Sequence, residues 1–341
     1  MTQVTFQGEQ FLLHEQETVL DCLLRNGIAI PNSCRSGICQ TCLMKAVSGK
    51  VPAVAQKGLK QAWREQQYFL ACTCVPEQNI EAALPDEQTV PHIKAEVLSK
   101  KYLNKQIIRM RLRSLQPLDY QAGQFIHLQH ADDRTLIRSY SLASVPTLDQ
   151  ALEIHVRRVP NGRMSGWLHQ QCQPGQQLLL SGPHGDCYYI PGQEQQGLLL
   201  LATGSGLAPI WGILRDALQY NHQGPIRLFH GGLNGSDLYL VDELRELADE
   251  YRQFAYFPCL DGDSVDEEIA AAPELFYPGR VQDQALNIQP DLKGWRVYLC
   301  GNPDMVNQAK RKAFMAGAAL TEIHADPFVT AHNKQADGLT V

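Results

Sequence analysis

Three of the ten cysteines in this 341-residue chain fall within nine positions: Cys34, Cys39 and Cys42, inside Pro31–Cys42 (PNSCRSGICQTC). Their spacing is C-x4-C-x2-C, and 29 residues separate Cys42 from Cys72 in FLACTC. Thiolates so spaced suit a [2Fe–2S] cluster, in which each iron takes two sulfurs. A tight loop must bring three sulfurs to one cluster face and turn backbone N–H groups towards the anionic sulfur. Ser33, Ser36, Gly37 and Thr41 are small enough to allow this, and Gly37 can adopt a positive φ. Structural zinc prefers two close cysteine pairs and accepts histidine, whereas this run holds one close pair and a third thiol at longer range. Buried thiols placed by chance do not usually gather three in nine positions. Cys34, Cys39, Cys42 and Cys72 are therefore the expected metal ligands.

Four further strings could hold an organic redox cofactor. Arg138-Ser139-Tyr140-Ser141 is an R-x-Y-S tetrad behind Gly123-Gln124-Phe125 and about 65 residues ahead of a glycine-rich turn. Gly162-Arg163-Met164-Ser165, just after Arg157, reads as a G-x-x-S turn opening a short helix, whose N–H groups make an anion site. A plain helix capped by Ser165 is the alternative. Thr203-Gly204-Ser205-Gly206-Leu207-Ala208-Pro209 follows a strand and opens a helix as G-x-G-x-x-P. Its glycines permit close approach of a nucleotide, and Pro209 suits a first helical turn. Cys300-Gly301-Asn302-Pro303 is a C-G-x-P turn after the last long strand.

Together these motifs resemble the ferredoxin–NADP reductase superfamily. The resemblance implies that Arg138 pairs with flavin phosphate, Tyr140 lines the isoalloxazine and ribityl, and Ser141 sits beside flavin N5. A guanidinium suits bidentate phosphate binding, an aromatic ring offers a stacking surface, and a hydroxyl can manage a proton. By the same resemblance Arg157, Gly162 and Ser165 serve the flavin pyrophosphate, and Thr203, Gly204, Gly206 and Pro209 the dinucleotide. Cys300 then lies near the hydride-transfer position, and Gly301 admits the nicotinamide to the flavin, which makes Ser141 and Cys300 the expected catalytic pair. Two phosphate-directed elements favour FAD over FMN. GGLNGSD, after Ile226–His230, has no Arg to clamp a 2′-phosphate, so NADH is the expected donor and NADPH the alternative. Phe328 in EIHADPF would shield the flavin, although 13 residues follow it.

Three units must position these residues: an α+β β-grasp ferredoxin, an antiparallel flavin-binding β-barrel, and an α/β parallel-sheet nucleotide-binding domain. Residues 1–87 resemble the β-grasp fold of plant-type ferredoxins. VTFQGEQFLLH suggests a hairpin turning near Gly8-Glu9, and Thr18-x-x-Asp21 a capping box before a helix at Val19–Arg25 that Gly27 ends. Leu43–Val47 reads as a strand, Tyr68–Cys72 delivers the last ligand, and Ile80–Leu84 would close the sheet. Nine acids against seven bases make this unit less acidic than a freely diffusing ferredoxin, so it reads as tethered, through a linker at Pro85–Pro91. From 92 to 192, Ile93–Ser99, Gln106–Arg113, Gln124–Gln129, Arg138–Ala143, Leu152–Val159 and Gln177–Ser181 suggest a closed antiparallel barrel. From 197 to 330 strands and helices alternate, which argues for a parallel sheet with helices on both faces; 331–341 is a tail.

Composition narrows the class. Apolar residues make up 44% and charged residues 19%, ordinary for a soluble globular chain. The net charge of −6 comes without any long basic run, which argues against nucleic acid as a partner. The N-terminus lacks a signal-peptide layout, and the best apolar stretch, Leu198–Ala202, is far too short to span a membrane. The other six cysteines are scattered as reduced thiols usually are, so a cytoplasmic monomer is expected.

The domain order resembles the reductase components of multicomponent bacterial oxygenases, of the benzoate dioxygenase, phenol hydroxylase and soluble methane monooxygenase types. That implies an oxidoreductase passing hydride from NADH to FAD and single electrons through the cluster to a protein acceptor. Similar domain orders also serve a deoxysugar dehydratase system, and a stand-alone flavin or ferric reductase or a redox-sensing interaction protein are further alternatives. Arg35, Ser36 and Ile38, beside the cluster, are the expected docking patch.

Overall fold

The computed structural model describes residues 2–85, 91–133, 135–262 and 275–329. The N-terminal sheet begins as a hairpin, β1 (Gln3–Phe6) and β2 (Glu9–Leu12). Its turn is Gln7-Gly8, one residue earlier than expected, because both central positions take positive φ (52° and 85°), the geometry that matches strand twist in a two-residue loop. Helix α1 (Val19–Arg25) starts where Thr18 Oγ1 accepts from Asp21 N at 3.1 Å, and ends at Asn26 with Gly27 at φ 80°. Strand β3 (Leu43–Ser48), the short helix α2 (Gln61–Glu65), β4 (Tyr68–Leu70) and β5 (Ile80–Ala83) complete the unit. Strand order is β2-β1-β5-β3-β4. The expectation that β5 closes the sheet is corrected: it lies at the centre, parallel to β1 and antiparallel to β3. Ile80 and Ala82 are buried, as the inward residues of a strand paired on both edges are. Of the linker, residues 86–90 lie outside the described residues.

The second sheet has six strands: β6 (Ile93–Tyr102), β7 (Ile107–Ser114), β8 (Phe125–Gln129), β9 (Ile137–Ser141), β10 (Leu152–Arg157) and β11 (Gln177–His184). Every pairing is antiparallel in the order β10-β7-β6-β11-β8-β9, and a bridge between Leu142 and Ile154 joins the two ends into a barrel. Alternate residues fill its interior, among them Ile108, Met110, Ile126, Leu128, Ile154 and Leu180, with α3 (Arg163–Gln170) adding Met164 and Leu168. On β8, however, all five residues are buried. Ile126 and Leu128 enter the barrel, so Phe125, His127 and Gln129 point outward and need a second cover.

The third sheet is parallel throughout, in the order β15-β14-β13-β12-β16-β17. Its strands are β12 (Leu198–Thr203), β13 (Ile226–Gly232), β14 (Phe254–Leu260), β15 (Tyr277–Pro278), β16 (Arg296–Gly301) and β17 (Ile323–Pro327). Helices α4 (Leu207–Gln219) and α5 (Val241–Glu250) cover one face. Helices α6 (Val281–Ile288) and α7 (Pro303–Met315) cover the other. Near-continuous apolar runs such as Leu198–Ala202 are what two covered faces require. β15, β17 and α6 escaped the sequence reading: β15 has two residues, and Ile323–Pro327 is IHADP, too polar to read as a strand. Among the described residues no helix is long and apolar enough to cross a membrane.

On α4, Asp216 is 4% exposed, and burial pushes its carboxyl up to about 6 from the ordinary 3.8. The folded chain therefore keeps a proton that the unfolded chain releases, and stability falls as pH rises from about 4 through 6. Asp216→Asn is expected to raise the unfolding free energy measured by urea titration at pH 7.5 by on the order of 1–3 kcal/mol, and to change little below pH 4. An equal gain at both pH values would contradict the assignment.

Candidate functional site

The loop after α1 curls through positive φ at Arg35 (51°), Gly37 (80°) and Gln40 (59°), which folds its thiols back on themselves. Gly37 is the position the sequence marked for this; Arg35 and Gln40 adopt it without being glycine. Cys34 N donates to Cys39 Sγ at 3.4 Å, Cys39 N to Cys34 Sγ at 3.3 Å, and Ser36 N to Cys34 Sγ at 3.4 Å. Thr41 Oγ1 lies 3.1 Å from Cys39 Sγ. Cys72 comes from the turn after β4, a single helical turn at Ala71–Thr73, and meets Cys42. The four sulfurs thus form two buried pairs, Cys34 with Cys39 and Cys42 with Cys72. In the first pair Cys39 donates to Cys34 and holds its thiol low, while sharing with Cys34 pushes Cys39 up. Among the described residues no three His, Cys, Asp or Glu side chains close on a single-ion site. Two thiol pairs fringed by N–H donors fit a two-iron cluster, which takes two thiolates per iron, better than one tetrahedral ion.

A second cluster of expected residues meets at the carboxyl ends of β12 and β16, where strand order reverses and α/β sheets hold their ligands. Thr203 accepts from Asn302 N through Oγ1 at 2.9 Å. Gly204–Gly206 form a tight turn running directly into α4, which starts at Leu207 with Pro209 in its first turn. A Cβ on Gly206 would lie 2.3 Å from Cys300 O, and one on Gly301 (φ 125°) 2.5 Å from Thr203 O. Arg157, at the end of β10, reaches this turn: its Nη1 is 3.8 Å from where a Cβ on Gly204 would sit. Ser141 Oγ, at the end of β9, lies 3.5 Å from Asp326 Oδ2 on β17, and Asp326 pairs in register with Cys300. Burial raises the Asp326 carboxyl to about 6. Phe328 N donates to Gly301 O at 2.7 Å, which brings Phe328 to the same corner. Residues 330–341, the tail included, lie outside the described residues.

Three expected residues stand apart from that corner or turn elsewhere. Ser165 does not cap α3: the N-cap is Gly162, and Ser165 Oγ instead accepts from Val159 N at 3.1 Å. Tyr140 is packed against the barrel core, and burial pushes its hydroxyl up. Arg138 Nη1 donates to Asn32 O at 2.9 Å and to Ile137 O at 2.6 Å, so the guanidinium touches the cluster loop. His127 Nε2 makes a second tie, 2.6 Å from Cys39 O. Ser139 Oγ and His184 Nε2 are buried and have no hydrogen-bond partner among the described residues, which leaves polar atoms for a polar ligand. Glycine-lined approach, an anion-ready helix start and orphaned polar atoms together fit a flavin and a dinucleotide.

Sequence reasoning missed Asp326, His127, Asn32 and Cys187. Cys187 Sγ lies 3.7 Å from Cys300 Sγ, and burial pushes the Cys300 thiol well above its ordinary range. Asp326 stood inside a string already singled out, EIHADPF, and a lone acid between apolar residues was its signal. The others depend on contacts between distant segments that no local pattern carries.

Comparison with known proteins agrees with this geometry. Residues 4–77 match the 2Fe-2S iron-sulfur cluster binding domain, 94–189 the oxidoreductase FAD-binding domain, and 200–311 the oxidoreductase NAD-binding domain. The chain is 32% identical to the ferredoxin–NAD(P)+ reductase component of the naphthalene 1,2-dioxygenase system of Pseudomonas putida, over 91% of this chain and 93% of that one. It is also 32% identical to the reductase subunit of an aromatic O-demethylase from an Amycolatopsis strain, over 96% and 98%. Among solved structures it resembles the Amycolatopsis cytochrome P450 reductase GcoB, with a TM-score of 0.67 and 29% identity, covering 96% of this chain and 99% of that one.

Gly301→Ala tests the crevice. The new methyl must move Thr203 away and the backbone must abandon φ 125°, a conformation costing on the order of 1–3 kcal/mol for a residue with a side chain. We expect the KM for NADH to rise about tenfold or more while cluster absorption stays unchanged. An unaltered KM would remove Gly301 from the nicotinamide approach.

Proposed function

Since the chain belongs to the ferredoxin–NADP reductase superfamily, among the iron–sulfur flavoprotein reductases that serve oxygenases, we propose that it draws hydride from NADH and delivers single electrons to an oxygenase component. When bound, the flavin turns a two-electron donor into single electrons that the cluster relays. The observation that carries this reading is the contact between the thiol loop and the barrel strands β8 and β9, beside the nicotinamide corner. An electron path needs those centres adjacent, whereas a sensor or a simple flavin reductase does not.

Cys34, Cys39, Cys42 and Cys72 ligate the cluster, and the N–H groups of Cys34, Ser36 and Cys39 temper its negative charge. Arg138, with its remaining N–H groups, and the backbone at Gly162 hold flavin phosphates; Arg157, Thr203, Gly204, Gly206 and Pro209 shape the dinucleotide turn. Ser141, hydrogen-bonded to Asp326, keeps a proton at its Oγ next to the reacting face. Cys300 and Gly301 admit the nicotinamide, and Phe328 covers the flavin until it arrives. The lack of an arginine in Gly231–Asp237 supports NADH as donor and NADPH as the poorer one. The protein works as a cytoplasmic monomer. Ile38 is 44% exposed beside Cys39, and Arg35 next to it is partly exposed, so the acceptor docks there.

An anaerobic NADH titration tests the reading. NADH is expected to bleach both flavin and cluster absorption and to raise the EPR signal of a reduced [2Fe–2S] centre. Bleaching of the flavin alone favours a stand-alone flavin reductase. Docking has its own test, with basic cytochrome c as a surrogate acceptor. Arg35→Glu is expected to speed its reduction about twofold to tenfold at low ionic strength, and the gain should fade with added salt. A salt-independent rate equal to that of the parent protein would move the exit elsewhere.

A further inference from the structure

On the outward face of β8 a histidine touches the peptide of a candidate cluster ligand. We propose that His127 is a positioning residue for electron transfer, a latch that fixes the cluster loop on the flavin barrel by donating from Nε2 to the Cys39 carbonyl. The inference rests on the reductase reading above and concerns how the two centres are held at a fixed separation.

The direction of the bond is set by chemistry. A carbonyl oxygen can only accept, so the 2.6 Å contact requires the proton on His127 Nε2. The burial of the ring follows from the register of β8. Its neighbours Ile126 and Leu128 fill the barrel, His127 faces the other way, and it is nevertheless only 6% exposed. The cluster loop is therefore the cover over His127. A buried donor facing a buried acceptor costs more to separate than an exposed pair, because neither group regains water while the surfaces stay closed.

The ring itself cannot swing away. His184 lies 4.5 Å off, centroid to centroid, and Phe125 5.8 Å, while His184 and Phe125 are 5.5 Å from each other. Behind them Gly185 leaves no room, since a Cβ there would meet the Phe125 ring at 3.1 Å. The latch thus consists of one directional bond on a ring wedged by two others, the rigid support that a positioning group needs.

A second tie shows why this one matters. Arg138 on β9 donates to Asn32 O, near the start of the same loop. Alone, that bond lets the loop pivot about Asn32. The His127 bond, at Cys39, stops the pivot at a ligand's own peptide, so loss of the bond moves the cluster directly. β8 and β9 are adjacent, with His127 opposite Ser139, and the two ties therefore bracket the loop from one rigid surface.

His127→Phe keeps a ring in the stack and removes the donor; His127→Gln restores an N–H near the same reach. In the holoprotein, anaerobic stopped-flow mixing with NADH should show His127→Phe slowing cluster reduction about tenfold or more. Flavin reduction and ferricyanide turnover should stay within about twofold of the parent, on the same scale. His127→Gln should recover most of the lost rate. Hydrogen exchange, a readout independent of turnover, should quicken in His127→Phe at the amides of Arg35–Thr41 and of β8 but not in β12 or β16. An unchanged cluster rate in His127→Phe overturns the proposal, and so does equal slowing in both variants, which would assign the effect to the imidazole ring rather than to the hydrogen bond. A parent protein that never reduces its cluster would instead overturn the reductase reading, so the two failures are distinguishable.

Discussion

Phe125, His127 and Gln129 leave the barrel on the side away from its core, and an outward face of that kind must be buried by something. At His127 the cover is the loop that carries Cys34, Cys39 and Cys42, and at Phe125 it is His184 and Gly185. Two hydrogen bonds from β8 and β9 end on backbone carbonyls of that loop, at Cys39 and Asn32. Both acceptors are main-chain atoms, so the fit depends on the path of the loop rather than on the identity of its side chains. That path is in turn fixed by positive φ at Arg35, Gly37 and Gln40. Conformation within the loop and cover over the barrel are one constraint.

The nicotinamide corner is built on different terms. It gathers the ends of β9, β12, β16 and β17, and its tolerances are set by glycines whose missing Cβ atoms let backbone meet backbone, as Gly206 does with Cys300. Its polar groups are few and desolvated. Asp326 takes up its proton more readily than an ordinary aspartate, and Cys300 holds its own more firmly than an ordinary thiol. A corner of this kind penalises charge beside the reacting atoms; the Arg157 guanidinium reaches only its glycine turn, and that of Arg138 turns to the cluster loop.

How much could be read from the chain follows from how local each feature is. The cysteine spacing, the N-cap at Thr18 and the glycine turn at Gly204–Gly206 are written in consecutive residues, and the structure reproduces them, although Asp21 does not return the second bond of a capping box. Ser165 shows the limit of a local motif, because a hydroxyl in the first turn of a helix can face either an incoming anion or the preceding chain, and here its Oγ accepts from Val159 N. The position of β5 was equally hidden, since a run as short as IEAA fits an edge or a centre, and only partners distant in sequence decide between them. His127 carried no signal at all. A histidine amid apolar residues on a strand gives no hint that its far side will be covered by a loop 88 residues away.

The central place of β5 has a consequence for biogenesis. The β1–β2 hairpin and the β3–β4 pair are joined only through β5, the last strand of the unit to leave the ribosome. All four candidate ligands precede it in the chain. A nascent polypeptide that has emerged only as far as Cys72 thus has its ligands around the β3–β4 pair, before that pair is joined to the β1–β2 hairpin through β5. The sheet beneath the ligand-bearing turns is therefore continuous only once residue 83 has cleared the exit tunnel, and the barrel surface that ties the loop at His127 and Arg138 follows later still.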